Sequence, residues 1–280
     1  MILIADCGST KVEWCLVNDG KAVKTLYTSG INALLMTEVE IADSIGRELI
    51  PELGDAEISA VYFYGAGCIS DETCGNVSRA IASHIPAASI EVNTDLLAAA
   101  RALCGRETGI ACILGTGSNS CYYNGEKIID HVSPLGYILG DEGSGAVLGR
   151  LLIGDVLKEQ LPHDLCEKFL KQYNLDRLEI IHRVYREPQA NRFLASVSPF
   201  LLENMEEPAI HRLVLNEFKS FFVRNISHYE GYRGLAINFV GSIAYYYRDV
   251  LKEAADAIDA TLGTIVVSPM EGLVKYHSGC

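Results

Sequence analysis

"IADCGSTKVEWCLV", residues 4–17, carries an apolar strand onto a carboxylate, turns on Gly8, Ser9, Thr10 and Lys11, and resumes as a second strand. An ordinary hairpin would use Asp6 and Gly8 only for its turn. A phosphate-binding loop would use the same letters differently. Small residues let backbone N–H groups approach phosphate oxygens, the Ser9 and Thr10 hydroxyls add donors, and Asp6 can hold a phosphate-bound Mg²⁺. The choice depends on whether the pattern recurs.

It does recur. Residues 1–6, 12–17 and 22–28 read as three short strands, followed by helical periodicity over 37–53, a buried strand at 58–65, a helix at 71–85, a strand at 88–93 and a helix at 95–104. "GIACILGTGSNSCYYNGEKIIDHV" (109–132) then reads again as three strands with a turn at "NG". Laying Gly117 on Gly8 aligns the two meanders, and "AINFVGSI" (236–243) echoes "AVYFYGAG" (60–67). The second echo is more widely spaced than the first. The second copy must therefore carry an insertion, and the helical stretches between about 150 and 232 fill it. The expectation is an α/β protein built from a duplicated βββαβα unit, with lobes at 1–95 and 96–280 facing each other across a central cleft, where ligands favour binding.

Composition narrows the function. The 280 residues are 49% hydrophobic and 21% charged, a globular balance, and no segment approaches the roughly 18 apolar residues that a membrane span needs. "MILIAD" lacks a basic n-region, so a cytoplasmic address is expected. Nine cysteines, several inside apolar runs and none in a C-x-x-C pair, read as buried small hydrophobes. The seven histidines show no metal-ligand spacing. A net charge of −13 argues against nucleic-acid or membrane surfaces, which require clustered Lys and Arg. A small anionic ligand remains compatible with it.

Three further stretches carry candidate chemistry. "GTGSNS" (115–120) is a second small-residue turn, and the pair suggests a nucleotide clamp that is neither a P-loop nor a dinucleotide fold. In "NTDLLAAARAL", Asp95 ends a strand and opens a helix. Asn93, Thr94 or Asp95 could cap that helix, or Asp95 could accept a proton from a substrate hydroxyl. "PLGYILGDEGSGAVLGRLL" (134–152) sets Asp141 and Glu142 among four glycines before a helix, either as a capped start or as a pocket lining.

"DCGSTK", "NTD", "ILGTGSNS", "LGDEGSG" and "NFVGSIA", in this order, resemble the BadF/BadG/BcrA/BcrD-type ATPase group of the actin, Hsp70 and sugar-kinase superfamily, and within it the N-acetylglucosamine kinase branch. The resemblance implies two ribonuclease-H-like lobes and an ATP-dependent amino-sugar kinase that phosphorylates the 6-hydroxyl of N-acetylglucosamine or a related sugar. It further implies Asp6 as the Mg²⁺ organiser, Gly8, Ser9, Thr10 and Lys11 around the phosphates of ATP, and Gly115, Thr116, Gly117, Ser118 and Asn119 as the second phosphate loop. Gly241 and Ser242 would border the adenosine, Asp95 would be the general base, and Asn32 and Asp141 would bind sugar hydroxyls. A homodimer is the partner state it suggests. Cys7 stands where many relatives have glycine, and Tyr137-Ile138 replaces a frequent Gly-Trp-Gly, which leaves open whether the sugar is N-acetylglucosamine, N-acetylmuramic acid or glucosamine. A rival in the same group is an ATP-driven activator of the 2-hydroxyacyl-CoA dehydratase type, with a [4Fe-4S] cluster on cysteines such as Cys112 and Cys121. A sugar-kinase-type repressor would need a DNA-binding extension, which the sequence given does not display.

Overall fold

The computed structural model describes every residue except Ser9, Thr10, Ala88 and Cys280. The chain begins β1 (Ile2–Cys7), β2 (Lys11–Asn18), β3 (Lys21–Ser29), α1 (Glu38–Glu48), α2 (Ile50–Leu53), β4 (Ala60–Gly65), α3 (Asp71–Ala82), β5 (Ser89–Thr94) and α4 (Asp95–Cys104). A second round follows with β6 (Thr108–Leu114), β7 (Ser118–Asn124) and β8 (Ile128–Asp130). Helices α5 (Gly136–Leu139), α6 (Gly145–Leu157), α7 (His163–Tyr173), α8 (Arg177–Tyr185), α9 (Ala190–Ser196), α10 (Pro199–Glu203) and α11 (Pro208–Arg224) come next. The chain closes with β9 (Ala236–Val240), α12 (Ser242–Tyr246), α13 (Arg248–Asp256), β10 (Thr261–Val266) and α14 (Met270–Ser278).

These elements form two five-stranded sheets, ordered β3-β2-β1-β4-β5 and β10-β9-β6-β7-β8. β1 pairs antiparallel with β2 and parallel with β4, and β6 pairs parallel with β9. The two orders are one topology written twice, and the helical insertion occupies the position that α1 and α2 hold in the first copy. The α/β fold expected from the repeated meander is the observed one.

The division between the units lies elsewhere than at residue 95. The first unit takes in residues 1–107, 124–128 and 268–280, and the second 108–123 and 129–267. Packing explains the difference. β1 alternates its side chains, with Leu3, Ala5 and Cys7 entering the core that holds Ile41, Ile45, Val77 and Ile81 of α1 and α3, while Ile4 packs with Ala98 of α4 and Met270 and Leu273 of α14. A central strand covered on both faces needs apolar residues at successive positions, so α4 and the C-terminal helix belong to the first sheet. The 37–53 periodicity is also broken, because Pro51 opens α2 as a separate turn after α1 ends at Glu48. Capping boxes at Thr37/Glu40 and Ser70/Thr73 fix the starts of α1 and α3.

A polar chain ties α14 to this sheet. Arg101 Nη1 donates to the Tyr64 hydroxyl and to Glu91 Oε1, each at 2.7 Å. A guanidinium cannot accept, so Tyr64 passes its own proton toward His277 Nε2, 2.7 Å away. His277 also stacks on Tyr62 with ring centroids 3.7 Å apart. Burial first, and then the Arg101 charge, push its pKa down to about 4, with Glu91 opposing and Arg106 assisting. Because the native imidazole resists a proton that the unfolded chain takes near pH 6.5, stability is undiminished above that pH and falls as pH drops from 6.5 toward 4. Discounted for the side chain's partial exposure, the loss should be about 2 kcal/mol. His277→Gln, which keeps a partner for Tyr64 but cannot titrate, should flatten this part of a urea-unfolding pH series, and parallel wild-type and variant curves would exclude the effect.

Candidate functional site

In the first unit the alternation of β1 decides where Asp6 goes. It shares a face with Ile4, the face covered by α4, and its Cα partners are Glu13 on β2 and Tyr64 on β4. Asp95 stands at the first position of α4, directly after β5. The two carboxyls therefore come from the same end of one sheet, at the C-terminal ends of parallel strands. Asp6 feels Asp95: its pKa is pushed up to about 7, first by burial and then by the negative charges of Asp95 and Glu13, with Lys11 opposing. Burial likewise raises Asp95, while its Oδ1 accepts the Leu96 N–H at 2.9 Å.

The capping explanation for Asp95 loses its main support here. Thr94 is the N-cap of α4 and accepts the Leu97 N–H at 3.1 Å, so the helix start is served by the preceding residue. A carboxylate that burial disfavours, beside a second carboxyl whose charge it opposes and on a helix already capped, is what a functional group costs a fold. Sequence reading missed Glu13. Counting back from the Gly8–Lys11 turn, where the Gly8 N–H donates to the Lys11 carbonyl at 3.0 Å, places Glu13 opposite Asp6, so the signal lay in hairpin register. Its Oε2 accepts from Ser268 Oγ at 3.1 Å.

The fit to a divalent cation follows from this charge balance. Asp95 and Glu13 put negative charge on Asp6, which Lys11 offsets in part, and Lys11 Nζ sits 4.6 Å from the centroid of the Tyr27 ring. Oxygen donors of this kind suit Mg²⁺, which is held through few carboxylates and substrate phosphates. Ser9 and Thr10, both candidate phosphate ligands, lie outside the described residues. Asn32 uses its Oδ1 to accept the Leu34 N–H at 3.0 Å, so the acceptor expected for a sugar hydroxyl is already engaged in an Asx turn, and its amide is what Asn32 has to offer.

The second unit assembles its own group. The Gly115 N–H donates to the Gly117 carbonyl at 3.0 Å, closing the β6–β7 turn. The α6 N-terminus is stitched to that turn, since Gly145 and Ala146 N–H groups donate to the Gly115 and Thr116 carbonyls at 2.8 and 3.1 Å. Asp141, at φ 53°, accepts from the Ser118 backbone, and its Oδ2 would lie 3.2 Å from a Cβ at Gly117. Asn119 Oδ1 accepts the Ser120 N–H and meets His131 Nε2 at 2.9 Å. Gly241 fits against the Leu114 carbonyl at φ 123°, with Ser242 opening α12 beside it. Gly115 to Asn119, Asp141, Gly241 and Ser242 are thus brought together.

Two of the four glycines of 136–145, Gly140 and Gly145, serve backbone approach, while Gly136 and Gly143 hold positive φ. A Cβ at Gly140 would strike the Pro134 carbonyl, and one at Gly145 would crowd Gly115 O at 3.3 Å. Glu142 is a brace, ion-paired with Arg224 at 2.5 Å and accepting from Asn225. Asp141 is the exception. Burial, with Glu142 adding repulsion, pushes its pKa up to about 6 against the Ser118 hydrogen bond. The charge therefore costs stability above pH 6, and the cost vanishes below pH 4, where the unfolded chain is protonated too. Asp141→Asn should stabilise the protein at pH 7 by about 1 kcal/mol, allowing for partial exposure, and by nothing at pH 4. A destabilised variant at pH 7 would show that the carboxylate is a structural tie.

Cys112 and Cys121 are both fully buried, on β6 and β7, as a core reading requires and an inter-subunit cluster does not. Cys74 and Cys104 are only partly buried, contrary to the expectation for the cysteines as a set.

Among solved structures, a Porphyromonas gingivalis protein described as a "putative N-acetylglucosamine kinase" is 50% identical to this chain, covering 100% of it and 99% of that chain with a TM-score of 0.97. A Chromobacterium violaceum protein given the same description is 19% identical over 99% of each chain, with a TM-score of 0.78. A ROK family glucokinase from Streptomyces griseus, in complex with glucose and AMPPNP, is 15% identical over 98% of this chain and 97% of that one, with a TM-score of 0.61. The last two share the fold. No protein-family model matches the chain, and no curated protein matches it significantly.

Proposed function

We propose that this chain, which belongs to the family of sugar-kinase-fold proteins described as N-acetylglucosamine kinases, transfers the γ-phosphoryl group of ATP to the 6-hydroxyl of N-acetylglucosamine or a closely related amino sugar. The observation that carries the reading is the Asp6–Asp95 pair at one end of the first sheet, a half-buried couple that a cationic or proton-donating ligand would relieve.

Asp95 orients the acceptor hydroxyl and takes its proton, a task favoured by a carboxyl whose pKa burial raises. Asp6 is the residue suited to hold Mg²⁺, with Glu13 as a neighbouring negative charge. Bound Mg²⁺ would neutralise phosphate charge. Gly8 and Lys11, with Ser9 and Thr10, are proposed for the phosphates of ATP, as are Gly115, Thr116, Gly117, Ser118 and Asn119, with Gly241 and Ser242 at the adenosine. The side chains of Ser118 and Asn119 serve this loop in different ways: Ser118 is buried, and Asn119 is held by Ser120 and His131. Backbone groups are therefore the more available donors. Positioning and electrostatics dominate phosphoryl transfer, so rigid loops of this kind are adequate to it. Asn32 and Asp141 are assigned to the sugar.

The deciding assay is Mg²⁺-dependent ATP consumption across N-acetylglucosamine, N-acetylmuramic acid, glucosamine, glucose and no sugar, with mass detection of sugar phosphates. A sugar phosphate supports the kinase and identifies its substrate. Hydrolysis independent of sugar would overturn it.

A further inference from the structure

Outside these groups, the first unit carries a pocket of about 410 Å³ lined in part by Cys68, Cys74, Thr94, Leu97, Arg101 and Lys127. Two of its wall residues, Cys68 and Cys74, are thiols that face the same space, close enough for each to affect the other's titration. Cys68 belongs to the loop after β4, where its N–H donates to the Gly65 carbonyl at 3.2 Å. Cys74 lies in the first turn of α3, which the Ser70/Thr73 capping box holds rigid. A third thiol is close but occupied: Cys7 Sγ donates to the Ile31 carbonyl at 3.1 Å.

We infer that Cys68 and Cys74 form a paired-thiol modification site, able to close to a disulfide by exchange with a low-molecular-weight disulfide such as oxidised glutathione. Cys74, the more exposed of the two, loses its proton and attacks one glutathione sulfur, which releases one reduced glutathione and leaves a mixed disulfide on Cys74. Cys68 then loses its proton, attacks Cys74 Sγ and releases the second glutathione. Two protein thiols are oxidised, one glutathione disulfide is reduced, and both thiol protons end on glutathione. Burial keeps both thiols protonated at neutral pH, Cys68 most strongly. The exchange is therefore slow at pH 7 and faster in alkali, unlike that of a low-pKa peroxide sensor.

Closure would restrain the loop at 65–69. That loop leans on the Asn32 turn, where a Cβ on Gly67 would lie 3.2 Å from Leu34 Cγ and 3.5 Å from Asn32 Oδ1. On the reading that Asn32 contacts the sugar, oxidation raises the KM for sugar several-fold and leaves ATP affinity unchanged.

The test incubates wild type, Cys68→Ser and Cys74→Ser with oxidised glutathione at pH 8, quenches in acid, alkylates and maps peptides by mass. Wild type is expected to lose two hydrogens in a Cys68–Cys74 linked peptide, and Cys68→Ser to stop at a glutathione adduct on Cys74. Phenylarsine oxide gives a second reading independent of oxidation and of any kinase activity. One equivalent should bind this pair in wild type, removable by a dithiol, and none in either serine variant. Free Cys68 and Cys74 after both treatments would overturn the site. A linked peptide with an unchanged sugar KM would overturn only the coupling to Asn32.

Discussion

Asp95→Asn is expected to lower turnover in sugar phosphorylation by on the order of 10³-fold, the scale of losing a positioned general base, while ATP affinity stays within a factor of a few. The amide can still accept the Leu96 N–H, and Thr94 still caps α4, so the local fold has no reason to change. It should in fact become more stable. The substitution removes a charge that burial disfavours and, with it, repulsion felt by Asp6. In EDTA, where no divalent cation compensates, the variant should melt at a higher temperature than wild type. Gained stability with lost turnover is the signature of a functional carboxylate, because a structural one would lose both. Near-normal turnover, or a lower melting temperature, would remove Asp95 from this role.

Gly241→Ala should be the most damaging single methyl group among the site residues. At φ 123° and ψ 158° the backbone lies where only glycine is at ease, and the added Cβ would fall on the Leu114 carbonyl. Both partners are backbone, and neither can swing aside. The expected cost is about 3 kcal/mol or more, which lowers the melting temperature by on the order of 10 °C, with loss of ATP binding. Gly154→Ala is the matched control. It lies inside α6 with nothing within 4 Å of a Cβ, so it should be neutral or mildly stabilising by about 0.5–1 kcal/mol. Equal melting temperatures for the two variants would show that the Leu114 contact relaxes cheaply.

Much of the fold could be read from the chain because its signals are local. Apolar runs of strand length, turn residues at Gly8 to Lys11 and at Asn124-Gly125, and the two echoed glycine turns all lie within a few residues of the elements they define, and the repeat supplied the topology. Helix starts followed the same logic through Thr37, Ser70, Thr94 and Ser144. The candidate carboxylates Asp6, Asp95 and Asp141 could be picked out because each interrupts an apolar or glycine-rich run at an element end.

What could not be read was which partner each polar atom finds. Glu13 looked like an ordinary strand residue, and register puts it opposite Asp6; the Asn119 side-chain oxygen meets His131. Asn32 spends its acceptor on Leu34, and Glu142 spends its charge on Arg224. Gly140 and Gly145 make room for the Pro134 and Gly115 carbonyls, a role that no local signal in the chain announces.

The sequence alone determined the duplicated α/β plan and the carboxylates at the strand ends, because hydrophobic period and turn chemistry act over short separations. Only the tertiary structure decided that α4 and the last helix cover the first sheet, that Asp95 opposes the charge of Asp6 at one end of it, and that Cys68 and Cys74 line one pocket. Each of those depends on which faces bury together, and burial is what turns a carboxyl or a thiol into a shifted one.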